Sequence, residues 1–152
     1  MFRCMGCMEE FDESKEICPY CGYVRGTKAE KEYFLAPESI VGERYIVGKV
    51  IAYGGGSITY VAWDSWRKSE HAKVFLKEFF PEHSLRRMAD GQTLDMESVS
   101  DASLFEERRK AFRQKYSVRK GNGESYTVVE DNHTLYAIRS IPSYTEPFGD
   151  ES

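Results

Sequence analysis

The stretch Ile51-Ala52-Tyr53-Gly54-Gly55-Gly56-Ser57-Ile58-Thr59-Tyr60-Val61-Ala62-Trp63-Asp64, resumed after a polar gap by Lys73-Val74-Phe75-Leu76-Lys77-Glu78-Phe79-Phe80-Pro81, decides how the chain is read. Short β-branched and aromatic runs bounded by glycine or polar residues are strand signals, so the order is strand, glycine turn, strand, polar loop, strand. The first strand occupies residues 44–51, and Pro81 ends the last. Three consecutive glycines give the turn backbone freedom that other residues lack. One lysine, Lys77, sits inside the last apolar run, where an ammonium needs a carboxylate or a route to solvent.

Downstream, Ser103-Leu104-Phe105-Glu106 has the capping-box spacing, and Leu104, Phe105, Ala111, Phe112 and Tyr116 recur on one helical face. Gly121-Asn122-Gly123 breaks that helix. Two further strands fit residues 126–130 and 134–141, joined by Asp131-Asn132-His133. The expected order is three strands, one helix and two strands, an α+β arrangement with a five-stranded antiparallel sheet and one helix.

All four cysteines fall in the first 21 residues, as Cys4-x-x-Cys7 and Cys18-x-x-Cys21. Two such knuckles each aim two thiolates at one point and together complete a tetrahedral site, so the spacing predicts a structural zinc held by Cys4, Cys7, Cys18 and Cys21. Four thiolates leave no open position for catalysis. So few residues cannot build a core, so the metal supplies most of the folding free energy of this unit. Gly6 and Gly22 lie where the chain bends around sulfur. The expected organisation is a zinc ribbon over residues 1–24, a charged linker over 25–38 in which packing resumes at Tyr33, a main unit over 39–142, and a polar tail over 143–152.

Composition narrows the function classes. The 152 residues are 41% hydrophobic and 14% aromatic, as in folding chains, and the net charge is −4 with both signs mixed. No global basic field marks a nucleic-acid partner, and the ribbon loop, with Glu9, Glu10, Asp12, Glu13 and Glu16, is acidic. No window reaches the ~18 apolar residues of a membrane helix and the N-terminus is not a signal peptide. Neither a membrane nor a nucleic acid is expected as partner, and the cytoplasm is the expected location. His71, His83 and His133 read as solvated, Trp63 and Trp66 as packing, and Arg86-Arg87 and Arg108-Arg109-Lys110 as solvated faces.

The run from Ile51 to Pro81 resembles the start of bacterial serine/threonine protein kinases, in which a glycine-rich loop covers the ATP phosphates and a lysine follows on the third strand. Asn132-His133-Thr134-Leu135-Tyr136 resembles the fifth strand of that family, and a zinc ribbon ahead of such a lobe is also similar to bacterial kinases. The resemblance implies a truncated, degenerate kinase N-terminal lobe, with Gly54, Gly55, Gly56, Ser57 and Lys77 as a vestigial nucleotide site. It places Ala52, Gly54 and Ser57 at the three family glycine positions. Phe75 stands where the family has the alanine that meets the adenine ring, and Lys115 falls at the position of the helix glutamate that pairs with the strand lysine. No catalytic-loop His-Arg-Asp and no Asp-Phe-Gly follow.

Three readings stand on the sequence. The first is a non-catalytic, pseudokinase-like binding and regulatory module, for which ATP and Mg²⁺ are not expected as ordinary ligands. Its expected partner is a protein or a second copy, docked on the lobe side that a missing C-lobe leaves open, with Phe75 and Phe79 on that side. The second is the ATP-binding part of a kinase completed by another chain. The third is a nucleic-acid-binding zinc ribbon protein.

Overall fold

The computed structural model describes residues 1–67, 72–117 and 126–141. His71, the glycine break at residues 121–123 and the polar tail lie outside the described residues. Strands β1 (Phe2–Arg3) and β2 (Glu10–Phe11) pair antiparallel within the cysteine unit. Then follow β3 (Ile40–Val41), β4 (Tyr45–Gly54), β5 (Ser57–Asp64), β6 (Lys73–Phe79), the short pair β7 (Arg86–Arg87) and β8 (Leu94–Asp95), helix α1 (Ala102–Ser117), β9 (Thr127–Asp131) and β10 (Thr134–Ser140).

The main sheet has six antiparallel strands in the order β3-β4-β5-β6-β10-β9, one more than the five expected. The sixth is β3. Gly42 and Glu43 both take left-handed backbone angles (φ 61° and 57°), which turns Val41 back onto Tyr45 and Ile40 onto Ile46. A two-residue strand shows no alternation, so periodicity could not reveal it. The β9–β10 hairpin closes through Asn132 and His133, both at positive φ, the turn geometry that matches strand twist. Helix α1 is capped by Asp101 instead of the expected Ser103: the Asp101 carboxylate accepts the Leu104 N–H at 3.1 Å and its carbonyl accepts the Phe105 N–H. Phe105, Phe112 and Tyr116 are its buried residues; Leu104 and Ala111 are not.

Strand register sorts the side chains onto two faces. Tyr60, Leu76 and Ile138 share one, along with Ile58, Glu78 and Tyr136. Thr59, Lys77 and Ala137 share the other, with Val61, Phe75 and Arg139. The first face holds a fully buried polar network. The Tyr60 hydroxyl donates to Glu78 Oε1 at 2.8 Å and accepts the Leu35 N–H at 2.9 Å. Arg87 forks onto both Glu78 oxygens at 2.8 and 2.9 Å and also donates to the carbonyls of Tyr33 and Gln92. Its side chain is only 1% exposed, so Arg87 is a core ion-pair partner and not part of a solvated face. Burial alone pushes the guanidinium down, but its hydrogen bonds to Glu78 outweigh that and push it up. Phe34 and Leu35, at 2% and 1% exposed, belong to the same core, so the end of the linker is part of the main unit.

The opposite face is shared by α1 at one end and the cysteine unit at the other. Phe79 is 3% exposed, with its ring centroid 5.3 Å from those of Phe105 and Phe112, so it is core and not part of an open side. Met5 and Met8, inside and just after the first knuckle, pack with Val61 and beside Ile46 and Trp63. Met5 O accepts the Lys49 N–H at 2.9 Å, and the Arg3 guanidinium lies 3.5 Å from the Trp63 ring centre. Gly48 is what permits this contact, since a Cβ there would lie 2.3 Å from Met5 O. At the sheet end away from the glycine turn, Asp64 accepts a bidentate fork from Arg44, both bonds 2.8 Å, and Arg67 at 3.3 Å. No described helix is long and apolar enough to cross a membrane.

Candidate functional site

Two chemical centres stand out. The first is the cysteine cluster, where the sulfurs of Cys4, Cys7, Cys18 and Cys21 all lie within 4.8 Å of one another. Cys4 and Cys21 sulfurs are 3.5 Å apart and Cys7 and Cys18 3.7 Å, far beyond a disulfide bond. A tetrahedral ion with bonds of ~2.3 Å separates its sulfurs by ~3.8 Å, so this donor set fits a metal. Backbone N–H groups of Gly6 (3.2 Å) and Tyr20 (3.4 Å) donate to Cys4 and Cys18 sulfur, the knuckle bonds that orient a thiolate. Burial pushes the Cys4 thiol up and Cys7 up to about 12. For Cys18 burial acts the same way, but the N–H groups of Tyr20 and Cys21 and the neighbouring thiols outweigh it and bring it to about 7. Gly22 has the positive φ (83°) expected of it, whereas Gly6 is needed for space: a Cβ there would meet Tyr23 at 2.9 Å and Cys21 sulfur at 3.1 Å.

The second centre is a cavity of about 650 Å³ between the glycine turn and α1. Gly54, Gly55, Gly56 and Ser57 form one wall, with all three glycines at positive φ (121°, 65° and 93°). Lys77 enters from β6, and Arg108, Ala111, Phe112, Lys115 and Tyr116 enter from α1. Lys77 Nζ stands 5.4 Å from the Tyr116 ring centre and Lys115 Nζ 5.3 Å from the same ring. Neither lysine has a carboxylate partner among the described residues, and no acidic side chain lines the cavity. The predicted residues of the glycine turn and Lys77 are thus brought together, and Lys115 joins them from the helix.

Arg108 is exposed, as expected of a solvated face, and also lines the cavity, with its guanidinium donating to Pro81 O at 3.1 Å. The signal was available: residues 108, 111, 112 and 115 follow the i, i+3, i+4, i+7 pattern of one helix face. Phe75 lies on the Lys77 face of β6, half-buried, with the Arg139 guanidinium 5.3 Å from its ring centre. It does not line the cavity. His83 and His133 are exposed.

No family model matches the sequence, and no curated protein matches it. Among solved structures, the apo form of PpkA-294, a bacterial serine/threonine kinase fragment, matches with a TM-score of 0.55 at 20% identity. The match covers 72% of this chain and 39% of that one, so the chain spans well under half of that structure's length. At this identity the likeness is one of fold. The chain has a kinase-like fold, a six-stranded sheet with one helix, preceded by four cysteines arranged to hold a metal.

Proposed function

We propose that the chain is a non-catalytic, pseudokinase-like binding module, built on the fold of a serine/threonine kinase N-lobe and stiffened by a structural zinc ribbon. The observation that supports it is the surroundings of Lys77. In active kinases the strand lysine is held by a helix glutamate, and phosphoryl transfer depends on that pair together with metal-binding acids. Here Lys77 shares the Tyr116 ring with Lys115, a second cation. Two ammoniums on one ring repel and cannot replace the ion pair. Four thiolates at tetrahedral spacing support zinc as the metal, and a reducing compartment would keep them as ligands. A protein partner or second copy is the expected binding target, met through the sheet face around Phe75.

A second reading keeps nucleotide binding, with another chain completing the kinase. The cavity favours it, since its volume lies in the range of small-molecule sites and it joins a glycine turn to a lysine. Both readings meet one experiment: phosphate transfer from labelled Mg-ATP to the protein itself and to a general acceptor protein, for wild type and Lys77→Met. The expected result is no transfer above the Lys77→Met background. Transfer that disappears in Lys77→Met overturns the non-catalytic reading.

A further inference from the structure

We infer that the cavity under the glycine turn is a site for a polyphosphate anion, gripped through its phosphates alone, without a base and without a divalent cation. The inference rests on the non-catalytic reading and names the ligand class of the same cavity. Three cationic side chains converge there from two elements: Lys77 from β6 and Arg108 and Lys115 from α1. Glu82 acts on Arg108 from outside the cavity, but Lys77 and Lys115 have no carboxylate partner among the described residues and repel each other, an arrangement that an anion relieves. Among the described residues, Lys77 and Lys115 meet the Tyr116 ring face, a weak partner whose place a phosphate oxygen takes readily. The turn opposite them has open space at Gly54 and Gly55, where a side chain would meet nothing within 4 Å. A phosphate chain can therefore approach that backbone closely.

The same donor set sets the selectivity. Hard divalent cations take oxygen ligands, mostly carboxylates, and none lines this cavity. The site thus takes the metal-free anion, whose full charge meets the three cations. Beside Lys77 on the sheet, Phe75 and Arg139 cover each other, so that surface offers no bare slot for a purine ring. Both inorganic tripolyphosphate and the tail of a nucleoside triphosphate present this chemistry.

The test is calorimetric titration of the metal-loaded protein with sodium tripolyphosphate, ATP and orthophosphate, each with and without excess Mg²⁺. The expected result is binding of tripolyphosphate and ATP within about threefold of each other, much weaker orthophosphate, and loss of roughly tenfold in affinity on adding Mg²⁺. Lys115→Glu, an exposed position whose variant should keep its fold, is expected to cost roughly tenfold or more for both ligands, as does Lys77→Met. ATP binding without tripolyphosphate binding means that the base is recognised, and overturns the inference. So does binding that requires Mg²⁺, or no binding of either ligand. None of these outcomes depends on phosphate transfer, so failure here leaves the catalytic question to its own assay.

Discussion

Replacing Gly48 by alanine tests whether the cysteine unit and the sheet form one body. An added Cβ lies 2.3 Å from Met5 O, 3.1 Å from Met5 C and 2.6 Å from Met8 Cε. The methionine tip can swing away, but the Met5 carbonyl is backbone within a knuckle, so the knuckle must lift. Lifting breaks the Lys49 N–H to Met5 O bond, about 1 kcal/mol. It also partly exposes Met5, Met8 and Val61, now 5%, 2% and 3% exposed, for a further ~2–4 kcal/mol. Alanine is better than glycine in a strand by ~0.5–1 kcal/mol, which offsets part of the loss. The expected net effect is about 3 kcal/mol, or a fall in Tm of roughly 6–12 °C for a chain of this size. Urea unfolding followed by tryptophan fluorescence reads it, because Trp63 lies against Arg3 at the same contact. Metal affinity measured by competition with a chelator should fall in parallel, by up to roughly a hundredfold, since coupling between two equilibria is reciprocal. A variant that unfolds within ~0.5 kcal/mol of wild type and holds metal equally well refutes the docking argument.

Other perturbations separate the remaining features. Arg87→Ala leaves the Glu78 carboxylate buried and unpaired, with an expected cost of ~3–5 kcal/mol, while Glu78→Gln combined with Arg87→Met recovers most of it; a small loss in the single variant, measured by denaturant midpoint, argues against the buried pair. Burial pushes the Asp64 carboxyl up, but the Arg44 fork, the Trp66 N–H and Arg67 outweigh it and hold it below its ordinary value of 3.8. A depressed acid stabilises the fold above its unfolded value and loses that contribution as pH falls through its folded value. Thermal unfolding of Asp64→Asn should therefore be less stable than wild type at pH 7, with the gap closing below about pH 4; a gap independent of pH refutes the assignment.

The parts of the fold that were legible are those whose signal is local. β5, β6 and β10 are runs of alternating or β-branched residues, and the two C-x-x-C knuckles lie within 18 residues of one another. What escaped depends on partners distant in sequence. Glu78 reads as one charge in an apolar strand, and only the β7–β8 pair folded over it explains Arg87. Ser103-x-x-Glu106 has the capping-box spacing, yet the cap is Asp101, two residues before the expected start, whose carboxylate accepts the Leu104 N–H. The docking of Met5 and Met8 on the sheet beside Gly48 also escaped, because it joins residues roughly forty positions apart. At the candidate site, Lys77, the glycine turn and Lys115 were singled out by the family resemblance, and the structure brings them to one cavity. Phe75 shares the Lys77 face of β6 without lining the cavity, a distinction that strand alternation alone does not make.

The pairing of Lys77 with its neighbour Glu78 has a consequence for how the sheet assembles. The two opposite charges sit next to each other in β6 and point to opposite faces, the ammonium to the cavity and the carboxylate to Tyr60 and Arg87. A strand slipped by one residue exchanges them. Lysine is then buried against arginine, and glutamate is turned into the cavity. The buried face objects, because the lysine there meets Arg87, its like, in place of the carboxylate that Arg87 and Tyr60 need. Hydrophobic alternation alone discriminates weakly here, because Phe79 and Phe80 are both buried and apolar on either side of such a slip. Misregistered β6 is thereby excluded by charge, and the residue pair that places a lysine in the cavity is the same pair that tells the sheet where to stop sliding.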